Sequence, residues 1–304
     1  MAKSILLFSG GLDSMLAAKI LVNRKVEVQP VCFESYFFGA ASASVSAKYL
    51  GLELRTVSFA PEHLALVKKP AFRRGKGMNP CIDCHLLMLK KAGEMMRTGG
   101  YDFVATGEVL DERPFSQNAV IMYRMEKEAG LEGMVLRPIS AKLLKETLPE
   151  KKGIVDRKNL YGIKGKSRRS HIELARELGI EKFPQPAGGC LLTDPEYSKK
   201  LRELSERVPD FCGVDCRILK MGRVLWEDDF LFIVGRDEGE NAAIDDIAGK
   251  EISVVKPENF PGPSLLIRSF SGDVPQRILE KGREVILRYT KKAPADARFT
   301  VKGH

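Results

Sequence analysis

Ser9-Gly10-Gly11-Leu12-Asp13-Ser14 decides the fold of this chain of 304 residues. The apolar run Ile5–Phe8 precedes this stretch and Met15–Leu21 continues it with helical periodicity, so the pattern predicts a buried strand, a glycine-rich turn and a helix. The backbone N–H groups of such a turn and the N-terminus of the following helix converge on one point, which suits a phosphate. Gly10 and Gly11 let the backbone approach the anion closely, and Ser9 and Ser14 add hydroxyl donors. The sequence therefore predicts a phosphate-binding loop after the first strand.

Apolar runs alternate with helical patterns over the first ~190 residues, which is typical of a parallel α/β sheet. The predicted strands are Ile5–Phe8, Val26–Phe33, Leu52–Val57, Phe103–Thr106 and Met134–Arg137. The predicted helices are Ser14–Asn23, Ala41–Leu50, Glu62–Lys68, Cys84–Arg97 and Ser167–Leu178. Because ligands bind at the carboxyl ends of parallel strands, we expect Thr106-Gly107-Glu108 to lie beside the glycine-rich loop.

A second, smaller α+β domain is predicted after this parallel-sheet domain. The boundaries are residues 1–195 for the first domain, including a basic and helical connecting segment at 141–185, and residues 197–292 for the second. The second domain is predicted to contain a helix at Lys199–Arg207, short strands, a last helix and a polar tail. The strands and the last helix are predicted at Val214–Lys220, Trp226–Val234, Glu251–Val255, Leu265–Ser269 and Val274–Leu287.

The chain carries a net charge of +9, which favours a polyanionic partner. Basic residues cluster at Lys68-Lys69, Arg73–Lys76 and Lys164–Arg169, near the cysteines discussed below, and so predict contacts with a nucleic-acid backbone. A hydrophobic fraction of 44% and a charged fraction of 29% are those of a globular protein. No apolar stretch approaches the ~20 residues that span a bilayer, and the first strand leaves no room for a signal peptide. We therefore expect a cytoplasmic protein without a membrane partner.

Three of the six cysteines are predicted to share one site. Cys81-Ile82-Asp83-Cys84 places two thiols at a loop-to-helix transition, where the helix N-terminus is expected to lower their pKa values. Two glycines, Gly188-Gly189, precede Cys190 and predict a turn that brings its sulfur to the other two. The site would hold a [4Fe–4S] cluster with one open iron, a persulfide on Cys84 or Cys190 that the other thiol resolves, or a zinc ion with His85 or water.

The remaining candidate residues are assigned ordinary structural roles. Cys32 and Trp226 are predicted to be core residues, and Cys212 and Cys216 to be partly buried thiols. His63 and His171 lie on polar segments and are predicted to have no catalytic role.

The motif Ser9–Ser14 resembles the PP-loop of the ATP pyrophosphatases, since the Walker pattern is absent. Together with the cysteine motifs Asn79–Cys84 and Gly188–Cys190, and with Ala105–Glu108 and Leu136–Ser140, it resembles the tRNA thiouridine synthases. That group includes the 2-thiouridylases, the 4-thiouridine synthases and their cluster-dependent relatives. The 2-thiouridylases carry aspartate where this chain has Cys81 and histidine where it has Glu108, so both departures favour the cluster-dependent branch. The segment Phe230–Asn241 also resembles a small domain of RNA-quality-control proteins.

The resemblance implies an ATP-dependent tRNA sulfurtransferase that adenylates a uridine carbonyl and replaces its oxygen with sulfur. ATP and Mg²⁺ would be bound by Ser9, Gly10, Gly11, Asp13, Ser14, Thr106 and Gly107. Asp13, Cys84 and Cys190 would be catalytic, and Cys81, Cys84 and Cys190 would hold the cluster. The partners would be tRNA and a sulfur donor, either sulfide or a persulfide carrier, with Arg137 and Lys142 as contacts to tRNA phosphates. Two alternatives remain: another PP-loop enzyme that forms an amide or a nitrile, and a non-catalytic RNA-binding protein.

Overall fold

Five parallel strands form the sheet on which the predicted loop is built, in the order β3-β2-β1-β4-β5. In this computed structural model, which describes residues 1–184, 190–247, 249 and 251–303, the chain divides into Met1–Asp194 (unit 1) and Pro195–His304 (unit 2). The strands of the sheet in unit 1 are β1 (Lys3–Leu7), β2 (Glu27–Glu34), β3 (Arg55–Ser58), β4 (Phe103–Thr106) and β5 (Val135–Leu136). The predicted parallel α/β architecture is confirmed.

Helices cover both faces of the parallel sheet. Successive residues of β1 point to opposite faces, so Ile5 joins one buried cluster and Leu6 joins the other. The helices are α1 (Leu12–Asn23), α2 (Ala41–Tyr49), α3 (Ala60–Lys68), α4 (Cys81–Gly99), α5 (Ala119–Glu128), α6 (Leu148–Lys151) and α7 (Arg169–Glu177). Short 3₁₀ turns cover Ala141–Leu143, Arg157–Asn159 and Leu191–Thr193.

Helix α5 and the start of β3 are places where unit 1 departs from the sequence predictions. Helix α5 was not predicted; it begins where Asn118 accepts a hydrogen bond from the Ile121 N–H at 3.0 Å and so caps the first turn. The predicted strand Leu52–Val57 begins three residues late, because only Arg55–Ser58 pairs with β2. The turn predicted at Gly188-Gly189 lies outside the described residues.

Unit 2 contains an antiparallel sheet in the order β10-β8-β9-β7-β6. Its strands are β6 (Arg223–Glu227), β7 (Phe230–Val234), β8 (Ile252–Pro257), β9 (Leu265–Ser269) and β10 (Phe299–Lys302). Its helices are α8 (Pro195–Arg207), α9 (Gly213–Ile218), α10 (Glu238–Asp245) and α11 (Gln276–Arg288). The predicted α+β class of this part of the chain is confirmed.

Two strand predictions in unit 2 are wrong, and helix α10 and strand β10 were not predicted. Val214–Lys220 is not a strand, because Asp215 accepts the Cys212 N–H at 2.7 Å and caps α9. Trp226–Val234 is a hairpin rather than one strand, since Asp228 adopts φ +50° and reverses the chain between β6 and β7. The polar tail predicted after the last helix contains β10, in which Phe299–Lys302 pair with β8 as an edge strand.

Within the described residues, no helix is both long and apolar enough to cross a lipid bilayer.

Candidate active site at the carboxyl edge of the parallel sheet

The glycine-rich loop makes a tight turn between β1 and α1. Gly10 adopts φ +78°, and a Cβ added there would lie 2.5 Å from the backbone of Ala43. The Gly10 carbonyl accepts a hydrogen bond from Ser46 Oγ at 2.7 Å, which ties the turn to α2. Position 10 therefore requires glycine both for its left-handed conformation and for the close approach of α2.

The N-terminus of α1 is open to an anion. No side chain in the described part of the chain caps this helix, so within that part the N–H groups of its first turn have no capping acceptor. The Ser9 hydroxyl oxygen accepts the Gly11 N–H at 3.3 Å, whereas the Ser14 hydroxyl donates to the Gly11 carbonyl at 2.8 Å. In this conformation Ser14 stabilises the turn itself, and the backbone supplies the donors for a phosphate.

The end of β4 lies directly against the N-terminus of α1. A Cβ added at Gly107 would lie 2.6 Å from the Ser14 nitrogen and 2.7 Å from the Asp13 carbonyl oxygen. The neighbouring Thr106 hydroxyl donates to Glu108 Oε2 at 3.1 Å. Glycine at position 107 thus allows the loop after β4 to meet the phosphate-binding loop.

Cys81, Cys84 and Cys190 lie close enough for their charges to interact. Cys81 opens α4 and Cys84 lies one turn later, while the main chain beside Cys190 is held by two hydrogen bonds. The Leu191 N–H donates to the Phe37 carbonyl at 3.2 Å, and the Met78 N–H donates to the Leu192 carbonyl at 3.0 Å. These bonds tie the Cys190 segment to the chain that follows β2 and to the loop that precedes α4.

Burial, not the helix N-terminus, dominates the pKa values of these thiols. Burial raises the pKa of Cys84 well above its usual value, with further increases from the charges of Cys190 and Cys81. Burial likewise raises the pKa of Cys190 to about 12 and raises that of Cys81. The prediction of lowered thiol pKa values is therefore wrong for the unliganded thiols, and a positively charged ligand would be needed to hold them as thiolates.

Cys81 differs from the other two thiols because polar groups surround it. Asn79 Nδ2 donates to its sulfur at 3.4 Å, Ser116 forms a second hydrogen bond, and the charge of Arg113 favours the thiolate. Such contacts stabilise a negatively charged sulfur in a buried setting.

A second group of possible metal ligands lies elsewhere in unit 1. Among the described residues, Asp13, Glu112 and His171 bring their ligand atoms within 4.8 Å of one another.

A buried ion network supports the loop that follows β4. Arg137 Nε donates to Glu108 Oε2 at 3.0 Å, and its Nη1 donates to Glu126. His85 Nδ1 lies 3.1 Å from Glu108 Oε1. Burial alone would raise the pKa of Glu108, but Arg137 and His85 hold it at about 2. The expected contact between Arg137 and a tRNA phosphate is wrong, because the guanidinium is buried between two carboxylates.

Both histidines that were predicted to lie on polar segments are buried. His63 is enclosed by Phe37, Phe38 and Phe59, with its ring stacked on Phe59 at 5.2 Å. His171 is buried, and its Nδ1 lies 3.1 Å from Asp13 Oδ1.

The third member of the Asp13 group, Glu112, lies on the loop after β4. Burial and the charge of Asp13 raise its pKa. Sequence reasoning missed Glu112 and His171 because neither occupies a recognisable motif, and 158 positions separate Asp13 from His171 along the chain.

The basic clusters contain both structural and exposed members. Arg74 donates to the Val67 carbonyl at 2.8 Å and so holds its own loop, whereas Arg73 is exposed with its guanidinium 5.2 Å from the Phe115 ring. Lys164, Lys166 and Arg169 are exposed.

In unit 2, Trp226 is half-buried and stacks on Phe270 at 6.0 Å, so it is not a fully buried core residue.

Comparison with protein families matches the two ends of the chain separately. Residues 1–139 match the family described as thiamine biosynthesis protein (ThiI). Residues 222–303 match the family described as NFACT protein RNA binding domain. None of the curated proteins matches the sequence.

Two solved structures are similar in part. A predicted subunit of tRNA methyltransferase from Methanocaldococcus jannaschii is 16% identical over 51% of this chain and 74% of its own length, with a TM-score of 0.36. A 4-thiouridine synthetase in complex with RNA and ATP is 22% identical over 72% of this chain, with a TM-score of 0.45. The chain spans about half of that synthetase, with 52% of its length covered.

Proposed function

We propose that the protein is an ATP-dependent tRNA thiouridine synthase, because residues 1–139 match the ThiI family and residues 222–303 match the NFACT RNA-binding family. The observation that carries the proposal is the meeting of three thiols, Cys81, Cys84 and Cys190, in the unit that also holds the phosphate-binding loop. The family description names thiamine biosynthesis, but the RNA-binding domain favours RNA as the acceptor of sulfur.

ATP activates the uridine in the first step. The carbonyl oxygen of the base attacks the α-phosphorus of ATP, so an O–P bond forms and the bond to the leaving pyrophosphate breaks. The backbone donors of the turn at Gly10-Gly11 and the open N-terminus of α1 hold the pyrophosphate. Mg²⁺ bound with ATP would offset the charge of the leaving group.

Sulfur replaces AMP in the second step. A C–S bond forms at the activated ring carbon, the C–O bond breaks, and AMP leaves with its oxygen. The thiols of Cys84 and Cys190 lie in the site that would deliver this sulfur. The acceptor uridine would be C2- or C4-thiolated, and the donor would be sulfide or a persulfide carrier.

Cys81, Cys84 and Cys190 are the residues that would hold a [4Fe–4S] cluster. Two facts support the fit: the three thiols converge, and Asn79 and Ser116 form hydrogen bonds with the Cys81 sulfur. Three cysteine ligands leave one iron without a protein ligand, and the cluster would supply a binding site for the transferable sulfur there. The alternative is a persulfide on Cys84 or Cys190, which the other thiol releases by forming a disulfide.

The tRNA would be bound by unit 2 and by the exposed basic residues. The match of residues 222–303 to an RNA-binding family supports this assignment. Lys164, Lys166 and Arg169 are exposed and would contact phosphates.

The mechanism requires Cys81, Cys84 and Cys190 without disulfide bonds, and the cytoplasm keeps thiols reduced, so we propose a cytoplasmic protein.

Nucleoside mass spectrometry of tRNA incubated with the protein, ATP and a sulfur donor tests the proposal. We expect ATP-dependent thiouridine, and we expect Cys81→Ser, Cys84→Ser and Cys190→Ser each to abolish it. Cys212→Ser is the matched control, because Cys212 is exposed at the N-cap of α9, a position that serine favours. Loss of product in the control, or full activity in the three site variants, would contradict the assignment.

The iron content separates the two sulfur mechanisms. Anaerobically purified protein should be brown and contain about four irons per chain. An iron-free protein that still thiolates tRNA and carries an extra sulfur atom on Cys84 or Cys190 would replace the cluster with the persulfide mechanism.

A further inference from the structure

Three metal-ligating side chains from distant segments meet beside the phosphate-binding loop. Asp13 is the second residue of α1, Glu112 lies on the loop after β4, and His171 is the third residue of α7. Their ligand atoms all lie within 4.8 Å of one another. Two carboxylates and an imidazole at this spacing are a donor set for a single divalent cation.

The imidazole of His171 lacks the partner that a buried polar group requires. The side chain is 1% exposed, and within the described part of the chain neither ring nitrogen has a hydrogen-bond partner. Nδ1 lies 3.1 Å from Asp13 Oδ1 without the geometry of a hydrogen bond. A buried imidazole with this environment points to a ligand at the cluster.

The distance between these two atoms matches that of neighbouring ligands on one ion. Octahedral coordination with bonds of about 2.1 Å places adjacent ligands about 3.0 Å apart. Tetrahedral coordination with bonds of about 2.1 Å places them about 3.4 Å apart. The observed 3.1 Å lies between the two values.

We propose that Asp13, Glu112 and His171 bind one divalent transition-metal ion directly, without the help of a nucleotide. The imidazole distinguishes this site from one built for Mg²⁺, which prefers oxygen ligands and keeps several of its waters. Mn²⁺, Fe²⁺ and Zn²⁺ accept both carboxylate and imidazole donors.

The segments that carry the three ligands are held together by the backbone. The Gly165 N–H donates to the Leu110 carbonyl at 2.7 Å, which joins the loop of Glu112 to the segment that leads into α7. Gly107 lies against the backbone of Asp13 and fixes the start of the same loop. The three donors are therefore held in place before an ion binds.

Titration of Mn²⁺ into the chelator-treated full chain, without ATP or tRNA, tests this site. Mn²⁺ is the probe because it prefers oxygen and imidazole donors to the thiolates of the cysteine site. Electron paramagnetic resonance of the free ion measures binding, and nitrogen modulation of the bound ion reports the imidazole. We expect one Mn²⁺ per chain with an imidazole nitrogen in its coordination sphere.

Three variants complete the test. Glu112→Gln should weaken Mn²⁺ binding about tenfold or more. Because the Glu112 side chain is half-exposed, this substitution is expected to leave the fold intact. His171→Gln should abolish the nitrogen modulation. Asp111→Asn, next to Glu112 but outside the cluster, should bind as the unmodified chain does, since asparagine tolerates its φ of +61°.

Two outcomes would overturn the proposal: binding that requires ATP, or equal affinity in Glu112→Gln and Asp111→Asn. Because the titration contains neither ATP nor tRNA, its result is separate from the outcome of the thiolation assay.

Discussion

Replacing His63 with phenylalanine should remove an acid-sensitive element from unit 1. The imidazole is fully buried among Phe37, Phe38 and Phe59, and neither of its nitrogens has a hydrogen-bond partner among the described residues. Burial lowers the pKa of His63 to about 4. A phenylalanine is expected to fill this aromatic environment without a titratable group.

The sign and size of the effect follow from linkage. The unfolded chain protonates His63 below its ordinary pKa of about 6.5, while the folded chain keeps it neutral until about pH 4. The unfolded state therefore binds more protons between these values, and stability is lost as the pH falls. The loss amounts to about 2 kcal/mol at pH 5 and about 3 kcal/mol once the pH reaches 4. Above pH 7 the histidine contributes no pH dependence.

Urea unfolding at pH 5.0 and pH 7.5, followed by circular dichroism, measures the effect. The only tryptophan of the chain, Trp226, lies in unit 2, so its fluorescence provides an internal control. His63→Phe should reduce the stability difference between the two pH values by about 2 kcal/mol in unit 1 and leave the tryptophan transition unchanged.

An unchanged pH dependence in the variant would refute the assignment of a neutral, desolvated His63. A variant that loses more stability at low pH than the unmodified chain would show instead that the phenylalanine rings stabilise the imidazolium ion.

Two further predictions concern the backbone contact and the buried ion network. Gly107→Ala should weaken ATP binding by calorimetry, because the new Cβ would lie 2.6 Å from the Ser14 nitrogen and displace the start of α1; an unchanged affinity would exclude this contact from the nucleotide site. Arg137→Met should destabilise unit 1 by about 3–5 kcal/mol in urea unfolding, because Glu108 and Glu126 remain buried without their cation. The triple variant that adds Glu108→Gln and Glu126→Gln should recover much of this loss, and no recovery would argue against an electrostatic origin.

Local patterns were sufficient for the parallel sheet and the phosphate-binding loop. Strands covered on both faces contain continuous apolar runs, as in Ile5–Leu7 of β1, Val31–Phe33 of β2 and Phe103–Ala105 of β4. The turn at Gly10-Gly11 is recognisable because a left-handed conformation and a close backbone approach both select glycine. These features depend on neighbours along the chain, so the sequence alone determined them.

The same reasoning failed where a distant contact decides the local structure. The segment Val214–Lys220 has apolar residues that suit a strand, but Asp215 caps α9 and also accepts a hydrogen bond from Arg268 in β9 at 2.8 Å. The strand Phe299–Lys302 forms because β8 offers an unpaired edge. Neither partner can be identified from the segment itself.

Short-range patterns in the amino-acid sequence identify the parallel sheet, the glycine turn and the three thiols of the site. Tertiary structure, by contrast, sets the charge environment of the site. It buried Arg137 between Glu108 and Glu126, enclosed the three thiols so that their pKa values rise, and brought His171 to Asp13 and Glu112. Burial and the distance between charges govern these energies, and both are properties of the folded chain rather than of spacing along the sequence.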